Sequence, residues 1–300
     1  MHRAQIALVF SICSIVRSLL RRNNFQIFIF SNFQIALPSG TMAKIRLRKI
    51  VPDTLILAAK KGAYRLYNFT DKFFTGPFDV YDFQTTKIIN KVLKHDSNFI
   101  DIGAHKGHIL RELIKAAPDG NGYAFEPIPP LFEKIKRLYG KKVAMYNLAL
   151  SDEKGEAEFA YVVDRPAISG LKERTVEGED YHTKKIRVII DTLDSIIPAD
   201  VHIDLVKIDV EGAELGVLKG GVNTLRRCKP YILFEFGLGA ADLYNTTPEM
   251  VYDLLESCGL SVSTLEYFLK GRQPFDRGEF IGQYKKAYNF FFIAYDAEKQ

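Results

Sequence analysis

A chain of 300 residues, 47% hydrophobic and 26% charged, has the composition of an ordinary globular protein, with side chains enough for one large domain or two small ones. The net charge of +5 is mild, and the basic residues are dispersed apart from Lys44, Arg46, Arg48 and Lys49, so there is no footprint of a nucleic-acid binder. Cys13, Cys228 and Cys258 are odd in number and lack C-x-x-C spacing, which indicates neither a disulfide framework nor a zinc site and fits a reducing, cytoplasmic compartment.

Residues 1–41 form an apolar extension unlike the rest. "AQIALVFSICSIVRSLL", Ala4 to Leu20, is framed by His2–Arg3 and Arg21–Arg22, and "FQIFIFSNFQIAL" follows at Phe25 to Leu37. A spanning helix needs roughly 20 apolar residues, and Arg17 interrupts the first stretch. Residues 4–37 therefore read as a short anchor, an interfacial helix or an uncleaved signal-like segment, each a route to a membrane. The competing reading is a gene-call extension, with Met42 as the true start. Residues 42–96 read as an irregular and helical lead-in, and residues 97–296 as the main domain.

From Ser97 onward, strand-like runs at Asn98–Ile102, Gly122–Phe125, Val143–Leu148, Asp204–Asp209 and Tyr231–Phe236 alternate with helical patterns. The helices are His108–Ala117, Pro130–Tyr139, Ala213–Leu225 and Pro248–Cys258, with a short connecting helix at Asp191–Ile197. Strands separated by helices of this length predict β-α-β units and a parallel sheet. Glu156–Val163 and Ile186–Ile190 predict an inserted hairpin around the polar loop 164–185. The last apolar run, Tyr288–Tyr295, has no helix after it and is expected to close the sheet edge.

Ligands of such sheets sit beyond the carboxyl ends of the strands. There the stretch "FIDIGAHKGH" places Asp101 at a strand end, Gly103 in a tight turn and Gly107 where the next helix packs closely. The middle glycine of G-x-G-x-x-G is missing, which disfavours a dinucleotide and suits a ligand with a carboxylate and a ribose. Glu126, 25 positions after Asp101, is placed to take ribose hydroxyls or to cap the next helix. Asn147 lies on the same rim, where it can border an adenine. In "HIDLVKIDVEGAE", Lys207 sits in a run that should be buried, and period-two alternation points it the same way as Asp209. Glu211 and Glu214 read as favouring the dipole of the following helix. Glu235 ends the next strand and aims another carboxylate at this rim, as proton removal from a hydroxyl requires.

"FIDIGAHKGH", "FEP", "NLALSD", "LDSI", "VKIDVEGAELGVLKGG" and "KPYILFEF" stand in order, and the chain from about Tyr81 to Tyr295 resembles the FkbM family of S-adenosylmethionine-dependent methyltransferases. The resemblance implies a class I methyltransferase (Rossmann-like) α/β fold: a seven-stranded, mostly parallel sheet, helices on both faces and an antiparallel last strand. It implies that Asp101, Gly103, His105 and Gly107 cradle the methionine part of S-adenosyl-L-methionine. Glu126 would hold the ribose, and Asp209 would lie beside the methyl group. The family often has Asn where His105 stands. Ser169 and Arg174 resemble an element of the family's insertion that faces the acceptor, with Arg174 as a clamp for an anionic group. O-methylation is the family's usual chemistry. It needs no metal, because a sulfonium methyl is already electrophilic. The acceptor classes open to it are sugar, lipid and small metabolite. A nicotinamide oxidoreductase would need the missing glycine, and a non-catalytic module keeping the fold remains the other alternative.

Overall fold

The computed structural model describes residues 33–36, 42–45, 80–174 and 181–299. The apolar extension, apart from Phe33–Ala36, lies outside them, as do Cys13 and residues 175–180 of the insertion. The chain divides between Gly76 and Pro77 into two units. In the first, β1 (Phe33–Ala36) pairs antiparallel with β2 (Met42–Ile45), Ala36 opposite Met42. Among the described residues no helix is long and apolar enough to cross a membrane.

The second unit begins with α1 (Val80–Val92), followed by β3 (Phe99–Ile102), α2 (His108–Ala116), β4 (Gly122–Phe125), α3 (Pro129–Tyr139) and β5 (Val143–Tyr146). The chain then leaves the sheet for β6 (Ala149–Leu150), β7 (Gly155–Val162) and β8 (Thr183–Asp191). It returns through α4 (Leu193–Ile196) to β9 (Leu205–Ile208), α5 (Glu214–Gly220), α6 (Val222–Cys228) and β10 (Tyr231–Glu235). The last elements are α7 (Pro248–Ser257), β11 (Ser261–Thr264), α8 (Leu265–Leu269), α9 (Arg277–Lys285) and β12 (Phe291–Tyr295).

Seven of these strands form one sheet in the order β11-β12-β10-β9-β3-β4-β5. β9 runs parallel to both β3 and β10, whereas β12 runs antiparallel to β10 and β11. This is the class I methyltransferase arrangement that the resemblance implied. β12 is not the edge strand that its terminal position suggested. It inserts between β10 and β11, and β11, a four-residue run that the sequence did not single out, takes the edge. The expected Ala213–Leu225 helix is two helices. No side chain fits at Gly220, where a Cβ would lie 2.0 Å from the Ser151 carbonyl oxygen, and Gly221 leaves no room beside Leu193.

Both faces of the sheet are covered, so its central strands are buried throughout, β3 (FIDI) and β9 (LVKI) at every position. Ile100, Ile102, Val206, Ile208, Ile232 and Phe234 face a core completed by α5, α6 and α7. Phe99, Leu205 and Leu233 face the opposite core with Ile88 and Ile89 of α1 and Leu110 and Leu113 of α2. Period-two alternation then puts Asp101 and Lys207 on the second face, and they stand directly opposite each other in the register of β3 and β9. That pair sits where the strand order reverses, between β3 and β9, which is the place where open α/β sheets bind ligands.

β6, β7 and β8 form a separate three-stranded sheet. β7 and β8 make the antiparallel hairpin, Gly155 opposite Ile190 and Val162 opposite Thr183. Ile128, Phe159, Val188 and Ile190 give this insertion a small core of its own.

Candidate active site

The turn after β3 is fixed by backbone geometry. Gly103 has φ +74, and a Cβ there would lie 1.9 Å from the Asp209 carbonyl oxygen, so only glycine lets the ends of β3 and β9 approach this closely. Gly107, φ +78, is closed in by Ile135 and Tyr139 of α3, which is the close packing its position predicted. His105 between them takes a left-handed φ of 49, uncommon for a side-chain-bearing residue. Burial, with Lys106 and Lys207 nearby, lowers its imidazole to about 4, so the ring is neutral. Its Nε2 is buried and has no hydrogen-bond partner among the described residues.

Glu126 is buried at the end of β4. One oxygen accepts from the His105 N–H at 2.7 Å and the other from the Ile128 N–H at 2.9 Å. It thus fastens the glycine turn to the start of α3. Asn147 donates its amide to the carbonyl oxygens of Glu126 and Pro127, at 2.9 and 3.1 Å. Its contact here is with that backbone.

Lys207 is the hub. Its Nζ lies 3.3 Å from Asp209 and 3.5 Å from Asp101, and it donates to the Gly103 carbonyl at 2.8 Å. Burial opposes its charge, but the Asp209 and Asp101 carboxylates overcome that and leave its pKa raised. Alternation along β9 anticipated the Asp209 contact. The Asp101 contact needs the neighbouring strand. Asp101 is 1% exposed, and neither of its oxygens receives a hydrogen bond among the described residues. Burial raises its pKa, with Lys207 opposing.

Beyond β9 the turn Val210–Gly212 carries Glu211 at φ 55 and Gly212 at φ 104. Glu214, expected to act on the helix dipole, is 1% exposed and accepts from the N–H groups of Val210 and Gly212, at 3.3 and 3.1 Å, so it holds that turn. Oxygens of Asp209, Glu211 and Glu235 lie within 4.8 Å of one another. Burial first, then the Glu211 and Asp209 charges, hold Glu235 well above the usual carboxylate range. Sequence reasoning left Glu211 out of the site. Arg174, expected as a clamp for an anionic acceptor, lies 2.6 Å from Glu211. Ser169 accepts from the Val162 N–H at 3.0 Å and so staples the inserted segment to β7. His182 is exposed just before β8.

A family model described as the methyltransferase FkbM domain matches residues 101–262, which take in the glycine turn, Glu126, the insertion and the carboxylates at the ends of β9 and β10. The chain belongs to the FkbM methyltransferase family. Two curated members of its neighbourhood are similar over part of their length. The 2-O-methyltransferase NoeI of Sinorhizobium fredii is 24% identical over 166 residues, 50% of this chain and 67% of NoeI. The AMB antimetabolite synthetase AmbE of Pseudomonas aeruginosa is 27% identical over 165 residues, 43% of this chain and 8% of AmbE. Among solved structures, the FkbM methyltransferase of Methylobacillus flagellatus is similar with a TM-score of 0.41 and 14% identity, over 73% of this chain and 56% of that one. Membership of a methyltransferase family implies S-adenosylmethionine, and the residues fit it. Asp101 and His105, on either side of the Gly103 turn, present buried polar atoms without hydrogen-bond partners among the described residues.

The buried acids make stability depend on pH in an unusual direction. Burial, against their backbone donors, raises Glu126 and Glu214 from 4.5 to about 7. Burial and the Asp209 charge, against Arg174, raise Glu211 to about 8. A folded-state pKa above the unfolded one gives stability that is fully present below 4.5 and lost as pH rises through 7 to 8. The ligand-free protein is therefore expected to unfold at lower urea concentration at pH 8 than at pH 5.5, and Glu214→Gln should shrink that difference. Equal midpoints at both pH values would contradict the assignment.

Proposed function

We propose that this FkbM-family chain transfers a methyl group from S-adenosylmethionine to a hydroxyl oxygen of a sugar, lipid or small metabolite. The observation that carries the reading is that Lys207 joins the glycine turn to Asp209, which stands beside Glu235 at the end of β10. The name of NoeI, a 2-O-methyltransferase, supports oxygen as the acceptor atom.

When bound, the cofactor supplies an electrophilic methyl carbon. Asp101, with both oxygens lacking donors, would take the ammonium group of its methionine part, and Glu126 would use its remaining lone pairs for ribose hydroxyls. Asn147 would act through the Glu126–Pro127 backbone that it braces. The neutral His105 ring adds no charge beside the sulfonium. Asp209 is oriented by Lys207 and would receive the acceptor's proton. Burial and its anionic neighbours push the Glu235 pKa well above the usual range, which favours a proton there and leaves Asp209 as the acceptor of the incoming one. Most of the acceleration would come from holding the hydroxyl in line and excluding water.

Titration calorimetry tests the cofactor assignment. S-adenosylhomocysteine is expected to bind and NAD not to bind. Gly103→Ala should abolish binding and lower stability, because its Cβ would collide with the Asp209 carbonyl. Glu126→Ala removes two backbone hydrogen bonds to a charged group, each worth about 1.5–3 kcal/mol, and should weaken binding at least tenfold. A folded Glu126→Ala protein with unchanged affinity would reject the reading.

A further inference from the structure

Between α8 and α9 the surface opens into a groove of about 490 Å³, lined by Tyr267, Phe275, one face of α9 and Tyr288. That volume falls among small-ligand sites, which span roughly 300–1,000 Å³. None of its lining residues belongs to the candidate active site. Gly278 and Gly282, one turn apart on α9, leave its floor open. A Cβ on Gly282 would meet nothing within 4 Å, so packing does not require a glycine there, although glycine weakens a helix.

The rings beside this floor are held in place. Tyr267 and Phe275 are tilted against each other with centroids 5.3 Å apart, and Arg272 lies over the Tyr267 ring at 4.6 Å. Tyr288 is set by the end of α9. Ala287 takes a left-handed φ of 48, and the N–H groups of Ala287 and Tyr288 donate to the Tyr284 and Gln283 carbonyls at 2.9 and 3.1 Å. A helix end of this kind often packs the residue after the left-handed one on an apolar side chain of the last turn. Here the matching place in the helix is held by Gln283, and the Tyr288 ring stays 53% exposed at the groove.

We infer that the groove is a binding site for the sugar rings of a neutral oligosaccharide. The C–H faces of a pyranose pack on the electron-rich faces of aromatic rings, and its hydroxyls need donors and acceptors around the edge. Gln283 gives its Oε1 to Asn289 at 2.8 Å, which leaves its Nε2 as a donor, and Lys286 Nζ stands 5.6 Å from the centre of the Tyr288 ring. An anion finds no cluster of cations, since Lys286 is the single basic residue in the lining among the described residues. The acids there, Asp276 and Glu279, are engaged at the start of α9, each accepting the other's backbone N–H, at 2.7 and 3.0 Å. An acyl chain would cover these polar groups without pairing them. Tyr288 stands three residues before Phe291, which lies opposite Glu235 in the sheet, so at most about 11 Å of chain separates the groove from that strand end. Under the methyltransferase reading, the sugars held here would belong to the acceptor, away from its reacting hydroxyl.

Saturation-transfer NMR on the full chain tests the site, with malto-, cello-, chito- and galacto-oligosaccharides as probes beside oligogalacturonate and a proline-rich peptide. At least one neutral oligosaccharide is expected to bind, and more tightly than the uronate. Tyr288→Ala should weaken that binding about tenfold. Gly282→Leu, a better helix former whose Cβ meets no neighbour, should abolish it without lowering the urea midpoint. Binding of none of the neutral probes, binding of the uronate or the peptide alone, or sugar binding that survives both substitutions would overturn the inference. S-adenosylhomocysteine titrated into the same protein reads the methyltransferase assignment separately: if it fails to bind while the sugars do, that assignment falls and the groove stands.

Discussion

Lys207→Met is expected to cost the fold about 3–5 kcal/mol at neutral pH, the usual loss when one partner of a buried ion pair is removed. Lys207 is 7% exposed in the middle of a seven-stranded sheet, and it is the cation facing Asp101, which is 1% exposed. Without it the Asp101 carboxylate stays buried and unpaired, and the Gly103 carbonyl loses its donor. The size of the loss should depend on pH. Burial already raises the Asp101 pKa, and Lys207 is what opposes that rise, so in the variant Asp101 should bind a proton still more readily. The deficit should therefore shrink as pH falls and Asp101 becomes neutral. A second variant, Asp101→Asn/Lys207→Met, should recover much of the stability at pH 7, since it removes both charges together. Urea midpoints of the two proteins decide the matter: a double variant no more stable than Lys207→Met would show that the charge of Asp101 is not what Lys207 compensates.

Asp209→Asn is expected to slow single-turnover methyl transfer about 10²–10⁴-fold at saturating cofactor, the usual cost of losing a positioned base. Asparagine keeps the size of the side chain but cannot take up the acceptor's proton. The Gly103 turn packs against the backbone carbonyl of Asp209, which the substitution keeps, so S-adenosylhomocysteine affinity should change far less than the rate. Glu235→Gln should have the smaller effect, because burial and its anionic neighbours favour a proton on Glu235 and an amide preserves a donor at that place. Wild-type rates in both variants would leave alignment alone as the source of acceleration. A loss confined to the acceptor KM would instead make Asp209 a binding residue.

The parts of this molecule that were legible in the sequence are those set by local pattern. Strand–glycine turn–helix order located Asp101, Gly103 and Gly107, because a left-handed turn between a buried strand and a helix leaves few residue choices. Alternation along β9 paired Lys207 with Asp209. Contacts that cross between strands were not legible: Lys207 meets Asp101 only because β3 and β9 are neighbours, and they are neighbours only after the chain has returned from β8. Glu211 was read as a helix-start acid because the few residues around it say nothing of Arg174, 37 positions earlier on an inserted segment. The placement of β12 failed for a related reason. An apolar run at the end of a chain looks like an edge, whereas its burial on both faces and its pairing with β10 and β11 are properties of the assembled sheet. One overlooked signal was local: Asp276 and Glu279 form a capping box at the start of α9, and D-x-x-E before a helix announces one.

The way the insertion joins the sheet domain has a consequence for how such a protein can diversify. Leu150, where the chain departs, lies beside Asp191, where it comes back, and the Ser151 N–H donates to the Asp191 carbonyl at 2.9 Å. The two ends are thus stitched together at the base like the neck of a bag. What hangs beyond the neck can grow, shrink or be exchanged without altering the register of β5 or β9, and longer connections add only slowly to the entropic cost of closure. The glycine turn and the carboxylates of the proposed transfer site lie on one side of the stitch, and Arg174, the candidate clamp for the acceptor, lies on the other. About forty contiguous residues can therefore be rewritten without disturbing the strands that carry the proposed transfer site.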